Sequence, residues 1–279
     1  MSKRKRIAKE EQWIREGRGS GRGANYKPWL TIQDVPSSGR VSRIKGNKIN
    51  RQHEMFSDLE RNYFYISEFY DCVVDIREQF PLLPKSETIV IANELGIKHP
   101  TNPKTNEPVV MTTDFLLTIE KDNRFIDVAR TIKMKDELLK ERVIEKFEIE
   151  RVYWERRGIE WGIVTEEEIP KAIARNISYI HNYYDLTQFD AFRNMNDSQI
   201  EDFAIAFLQR IIQGDYSVRE TAFLFDKDMH LPLGSGLTLF YHLIVQKILI
   251  IDIIEPINID EPLVIQSIDE DKMKKVRYG

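Results

Sequence analysis

Asp114 lies in a run, Met111 to Glu120, that reads as a β-strand, and a second run, Arg124 to Lys133, ends Arg130-Thr131-Ile132-Lys133. Lys121-Asp122-Asn123 between them reads as a hairpin turn, so the two runs lie side by side. Side chains alternate faces along a strand, which predicts Thr131 and Lys133 on one face, beside Asp114. Carboxylates in such a place hold Mg²⁺ near a phosphodiester, where the metal lowers the pKa of a water and neutralises charge in the transition state. A lysine there orients the water and stabilises developing charge. A second acid two residues before the lysine would complete the set, and Thr131 stands in its place. On spacing alone, solvent-facing strand residues are the ordinary alternative.

Two further acids belong to this reading. Glu60 falls on a helix predicted from Phe56, Leu59, Tyr63, Ile66 and Tyr70, bordering its apolar stripe, with Ser57 or Asp58 as cap. Glu150 interrupts the apolar stripe Leu139, Val143, Phe147, Trp154 of a long helix predicted over 136–157. A buried carboxylate is costly unless it is paired or binds a metal. For Glu150 the bland partners are Arg151 and Lys146.

These residues need a scaffold. Val73 to Phe80 reads as a strand stopped by Pro81 and Pro84, followed by a loop-rich stretch holding Pro100, Pro103 and Pro108. Ile159 to Thr165 reads as a short strand. Strands bracketed by helices predict a mixed α/β domain ending near residue 168, at the acidic run Glu166-Glu167-Glu168. Beyond it, helical patterns over 171–184, 197–213, 217–229 and 236–247 precede two strand-like runs, Ile248 to Ile254 and Leu263 to Ile268. Short helices followed by a hairpin are the order of a winged-helix domain.

The net charge of −4 hides an asymmetry. Residues 1–52 hold 14 of the 41 Lys and Arg but four of the 45 Asp and Glu, so a +10 arm precedes a −14 body. That polarity predicts a polyanionic partner. Gly17, Gly19, Gly21 and Gly23 alternate around Arg18 and Arg22, which predicts a flexible basic loop that orders on binding, with a short helix over Glu10 to Arg15 before it and Trp29 and Leu30 anchoring part of the arm on a core. The last bases, Lys272, Lys274, Lys275 and Arg277, read as a solvated tail. Hydrophobic residues at 42% exclude wholesale disorder, and one cysteine excludes a disulfide framework or a cysteine zinc site. The five histidines show no ligand spacing. No apolar run approaches the roughly 20 residues of a membrane span, and no signal-peptide core is visible. A cytoplasmic protein with no membrane partner is the expectation.

Ser57-Asp58-Leu59-Glu60, Asp75-Ile76-Arg77-Glu78-Gln79-Phe80-Pro81-Leu82-Leu83-Pro84, Gly96-Ile97-Lys98-His99-Pro100, Thr113-Asp114-Phe115-Leu116 and Glu150-Arg151-Val152-Tyr153-Trp154 resemble the TnsA endonucleases, subunits of cut-and-paste transposases. Glu16-Gly17-Arg18-Gly19, Pro28-Trp29-Leu30-Thr31 and Val35-Pro36-Ser37-Ser38-Gly39-Arg40 extend the resemblance through the arm. It implies a restriction-endonuclease-like catalytic domain over 53–168, with the arm 1–52 as part of it. A winged-helix-like interaction domain follows over 169–279. It implies catalytic residues Glu60, Asp114, Lys133 and Glu150, and Mg²⁺, with Mn²⁺ as a substitute, held by Glu60, Asp114 and, through its backbone, Thr131. The family has Gln where Thr131 stands.

The implied reaction is hydrolysis at the 5′ ends of the transposon, while a TnsB transposase processes the 3′ ends. An ATP-dependent regulator, TnsC, binds the C-terminal region. A bacterial cytoplasmic location, with the nucleoid when active, follows. The other class of function is an architectural adaptor with a degenerate site. The predicted third helix of the last domain, Ser235 to Lys247, is apolar with a single Lys, and its hairpin tip carries Glu255, Asp260 and Glu261. Phosphate would be repelled there, so a protein-binding surface is expected in place of a DNA-reading one.

Overall fold

In the computed structural model, residues 3–34, 39–269 and 271–272 are described, residues 3–8 as helix backbone alone. The basic side chains of Lys3 to Arg6, the motif residues Val35 to Ser38 and the tail bases Lys274, Lys275 and Arg277 lie outside the described residues. Two compact units emerge, Met1–Ile169 and Pro170–Gly279.

The first unit is built on a four-stranded mixed sheet. Strands β3 (Val73–Pro81), β4 (Thr112–Lys121), β5 (Arg124–Ile132) and β6 (Glu160–Val164) lie in chain order, antiparallel except for β5 against β6. Helix α4 (Glu141–Glu155) makes the crossover that the parallel pair requires. Helices α3 (Lys85–Glu94) and α4 bury Ile91, Ala92, Ile149 and Trp154 with Leu116 and Ala129 of the sheet. Phe115, next along β4, turns the other way and meets Tyr63 of α2 (Asp58–Phe69) at 5.2 Å between ring centres.

Three local readings change here. Helix α3 replaces part of the expected loop: its β-branched run Thr88 to Ile91 favours strand, and burial of Ile91 and Ala92 overrides that preference. Leu139 does not join the apolar stripe. It sits in a 3-10 turn, Lys135–Leu139, before α4 and is 86% exposed. On α2 the buried residues are Glu60, Phe64, Ser67 and Glu68, so Glu60 belongs to the buried face and does not merely border it.

The arm departs most from expectation. Helix α1 runs Lys3–Arg15, and strands β1 (Ser42–Lys45) and β2 (Gln52–Met55) form a hairpin ahead of α2. Between them the glycine-rich segment is seated along β3, the edge of the sheet. Gly23 N–H donates to the Asp75 carboxylate, Tyr26 O–H to the Glu78 carbonyl at 3.0 Å, and Trp29 N–H to the Gln79 carbonyl at 3.2 Å. Tyr26 and Trp29 are core residues. Gly19, at φ +76°, rests so close to Pro81 that a Cβ would fall 2.1 Å from its ring. The glycines serve positive-φ turns and close approach, and the open sheet edge is covered.

The second unit carries α5 (Lys171–Ile180), α6 (Asp197–Gln213), α7 (Val218–Asp228) and α8 (Ser235–Val245), then the antiparallel pair β7 (Leu249–Ile251) and β8 (Ile265–Ile268). Full capping boxes, Asn196 with Gln199 and Ser217 with Glu220, start α6 and α7. Helix α8 changes the reading of a protein-facing helix. Leu239, Phe240, Tyr241, Leu243 and Ile244 are buried, so its apolar character serves the unit's own core. Gly236 lets α8 approach α7: a Cβ there would lie 2.8 Å from the Ala222 carbonyl oxygen. Among the described residues no helix is long and apolar enough to cross a membrane.

Candidate active site

The ends of β4 and β5 and the first turn of α2 converge. Ser57 caps α2 by accepting from Glu60 N–H at 3.1 Å, and the Glu60 carboxylate accepts in return from Ser57 O–H at 2.9 Å and Phe56 N–H at 3.0 Å. This local loop fixes the Glu60 side chain. Burial, then the Asp114 charge, push its carboxyl well above the ordinary carboxylate range. Those two hydrogen bonds and Lys133 pull the other way.

Asp114 is half-buried on β4, and its Oδ2 accepts from Ile132 N–H at 2.7 Å. Burial raises its carboxyl too, against the Ile132 hydrogen bond and the Lys133 charge. Backbone groups alternate sides along β5: Ile132 N–H points to Asp114, whereas Lys133 N–H bonds the Val164 carbonyl of β6 at 3.0 Å. The Thr131 carbonyl shares the β6 side, and the Ile132 carbonyl shares the Asp114 side.

Glu150 has its own set of donors, although the Asp114 charge also raises its carboxyl. Neither Arg151 nor Lys146 partners it: Arg151 binds Glu148 and Glu155 instead. Its Oε1 accepts from Thr113 O–H at 2.6 Å and Thr131 O–H at 2.5 Å. Those hydroxyls accept in turn from the indoles of Trp154 at 2.7 Å and Trp161 at 3.1 Å. The chain of donors ties α4 to β4 one residue before Asp114, and to β5 two residues before Lys133. Burial raises the Glu150 carboxyl to about 7. The Thr131 hydroxyl is committed to this network.

Among the described residues, no three Asp, Glu, His or Cys side chains converge as a metal cluster. What the site offers is a buried and a half-buried carboxylate whose charges oppose each other, with Lys133 as the neighbouring cation. Such a pair suits Mg²⁺, which commonly takes one or two carboxylates, several waters and a substrate phosphate, and demands no full protein cage. A divalent cation would relieve the repulsion that lifts the Glu60 carboxyl.

Sequence reasoning reached Glu60, Asp114, Lys133 and Glu150 but missed the groups that hold them: Thr113, Trp161, the Ile132 N–H and Gln79. Gln79 Nε2 donates to Asp114 Oδ1 at 3.4 Å. Its one sequence signal is a polar residue inside an otherwise strand-like run.

The TnsA-like endonuclease N-terminal family matches residues 70–166. The TnsA endonuclease C-terminal family matches residues 168–253. Asp114, Thr131, Lys133 and Glu150 lie within the first stretch, and Glu60 lies ahead of it. The chain is also similar to the transposon Tn7 transposition protein TnsA of Escherichia coli, 47% identical over 169 residues, which cover 61% of this chain and 60% of that protein. With both of its domains matched in order across the two units, the chain belongs to the TnsA-like endonuclease family.

Proposed function

We propose that the protein is a Mg²⁺-dependent DNA endonuclease, the subunit of a cut-and-paste transposase that hydrolyses phosphodiester bonds at the 5′ ends of the element. The opposed carboxylates of Glu60 and Asp114 beside Lys133 carry this reading, because two desolvated like charges are retained at a cost that a cation offsets. In this proposal Glu60 and Asp114 hold the metal, with Mn²⁺ as a substitute. When bound, the metal neutralises phosphate charge and lowers the pKa of the attacking water. Ile132 N–H fixes one Asp114 oxygen, and the Lys133 ammonium orients the water and stabilises charge on the phosphate oxygens. Glu150 acts at one remove, locking the strand ends through Thr113 and Thr131. Thr131, read from the sequence as a metal contact, serves here behind Glu150.

The catalytic unit is read as restriction-endonuclease-like, on its mixed sheet with the acids at strand ends. The second unit is read as winged-helix-like, on helices followed by the β7–β8 pair. Its partners are proposed to be transposon-end DNA for the complex, a TnsB-type transposase acting on the 3′ ends, and a TnsC-type ATP-dependent regulator at the second unit. The working location is the bacterial cytoplasm, at the nucleoid when active.

The test incubates end-containing DNA and Mg²⁺ with the chain, alone and with transposase and regulator, in wild-type and Asp114→Ala forms. Cleavage of the 5′ strand with partners, lost in the variant, is the expected result. Equal cleavage by the variant would refute the site, and intact 5′ strands in every combination would favour a non-catalytic adaptor.

A further inference from the structure

Gln79 is conspicuous among the residues around the carboxylates. It lies inside β3, yet its φ is +48°, in the left-handed region that a long side chain seldom occupies. Glu78 pairs with Phe115 and Phe80 with Thr113, so Gln79 stands across from Asp114. Its Oε1 accepts from Thr112 O–H at 3.2 Å, and its Nε2 donates to Asp114 Oδ1 at 3.4 Å. Its carbonyl accepts Trp29 N–H at 3.2 Å, one of the contacts of the arm along the sheet edge. Gln79 is buried, so this geometry is enclosed on all sides.

Strain of this kind persists where the surroundings over-determine it. Here the restraints are Thr112 on one side of the amide, Asp114 on the other, and the arm on the backbone. We propose that Gln79 is a positioning residue of the nuclease centre, whose amide, presented by a backbone latched by the docked arm, aims the Asp114 carboxylate at the metal. The proposal rests on the endonuclease reading above. It also gives the docked arm a second duty: the segment that covers the sheet edge also sets the geometry of the site.

Glycine and alanine at position 79 separate the amide from the strain. Both remove the amide, while glycine accepts φ +48° and alanine does not. The measurements are Mn²⁺ affinity of the full chain by calorimetry, melting temperature, and 5′-strand cleavage with partners present. Gln79→Ala and Gln79→Gly are both expected to bind Mn²⁺ about 10-fold more weakly and to lose cleavage to a similar degree. Gln79→Gly should nevertheless melt a few degrees above Gln79→Ala. Affinity and cleavage that track the melting temperature, restored in the glycine variant, would mean a purely structural residue and overturn the proposal. So would wild-type affinity in both. Asp114→Ala is measured alongside. If it keeps wild-type Mn²⁺ affinity, the centre itself is misplaced and the proposal falls with it. If it loses affinity while the Gln79 variants do not, only the role of Gln79 falls.

Discussion

The first unit buries carboxylates in two ways. Glu78 is wholly enclosed, and its carboxyl is held down at about 2 by hydrogen bonds and charge from Arg51 and His53, which outweigh burial. Arg51 grips it with both terminal nitrogens, at 2.6 and 2.7 Å, and His53 adds a contact at 3.0 Å. Glu60 and Asp114 are pushed the opposite way, by burial and, for Glu60, by its acidic neighbour. Glu60 is buried and Asp114 half-buried, and the outcome is reversed because, among the described residues, no arginine closes on the second pair. The Glu78 cluster joins the β1–β2 hairpin to β3 and compensates its acid, while Arg51 Nε and His53 Nε2 stay buried without a hydrogen-bond partner among the described residues. The Glu60–Asp114 pair has Lys133 as its neighbouring cation, and both carboxyls still stay above their ordinary range. A buried acid marks a candidate site when its charge is left uncompensated, and burial alone does not distinguish the two.

Substitutions should pull these regions apart. Asp114→Ala is expected to lower 5′-strand cleavage about 10³-fold or more, while metal-free melting temperature holds or rises because an opposed charge is removed. A large drop in melting temperature would erase the contrast. Glu78→Gln should do the reverse. It strands Arg51 in the interior and costs about 3–5 kcal/mol in denaturant unfolding, with Mn²⁺ affinity of the folded fraction unchanged.

The pH responses also differ in sign. The Glu78 carboxyl titrates below its unfolded value of 4.5, so its stabilisation is present above that pH and is lost as pH falls towards about 2. The full effect is on the order of 3 kcal/mol. The Glu150 carboxyl titrates above 4.5, so its contribution is present at low pH and is lost as pH rises through about 7. Metal-free unfolding scans from pH 2 to 9 should show both flanks. Added Mn²⁺ should lift the high-pH flank most, since binding requires ionised carboxylates. Thr131→Val removes one donor to Glu150 and one acceptor of the Trp161 indole, at about 1–3 kcal/mol, with cleavage reduced through misplaced strand ends. Leu139→Ser, on an exposed turn, should change stability by no more than about 0.5 kcal/mol.

Much of this was legible because it is local. The hairpin around Asp122 and Asn123, the long strands on either side of it, and the Ser57–Glu60 cap all follow from turn residues, alternation and a three-residue spacing. The arm was misread because its glycines and arginines resemble a linker. What orders them is β3, and Arg22 meets Asp127 across 105 positions of chain. Helix α8 was misread for the same reason: periodicity shows that a face is apolar, and only packing shows that the unit's own core covers it.

By itself the sequence determined which residue types are available and which neighbours share a turn or a strand. It placed Asp114 and Lys133 on adjacent strands, Glu60 behind a cap, and the positive charge at one end. The tertiary structure alone decided which carboxylates are compensated. Glu78 gained Arg51, Glu150 gained two threonines, and Glu60 and Asp114 were left facing each other. It also fixed the left-handed backbone at Gln79 and set its amide beside Asp114. Spacing governs contacts within a few residues, whereas desolvation and charge pairing depend on groups brought together from distant parts of the chain, and these set the chemistry of the site.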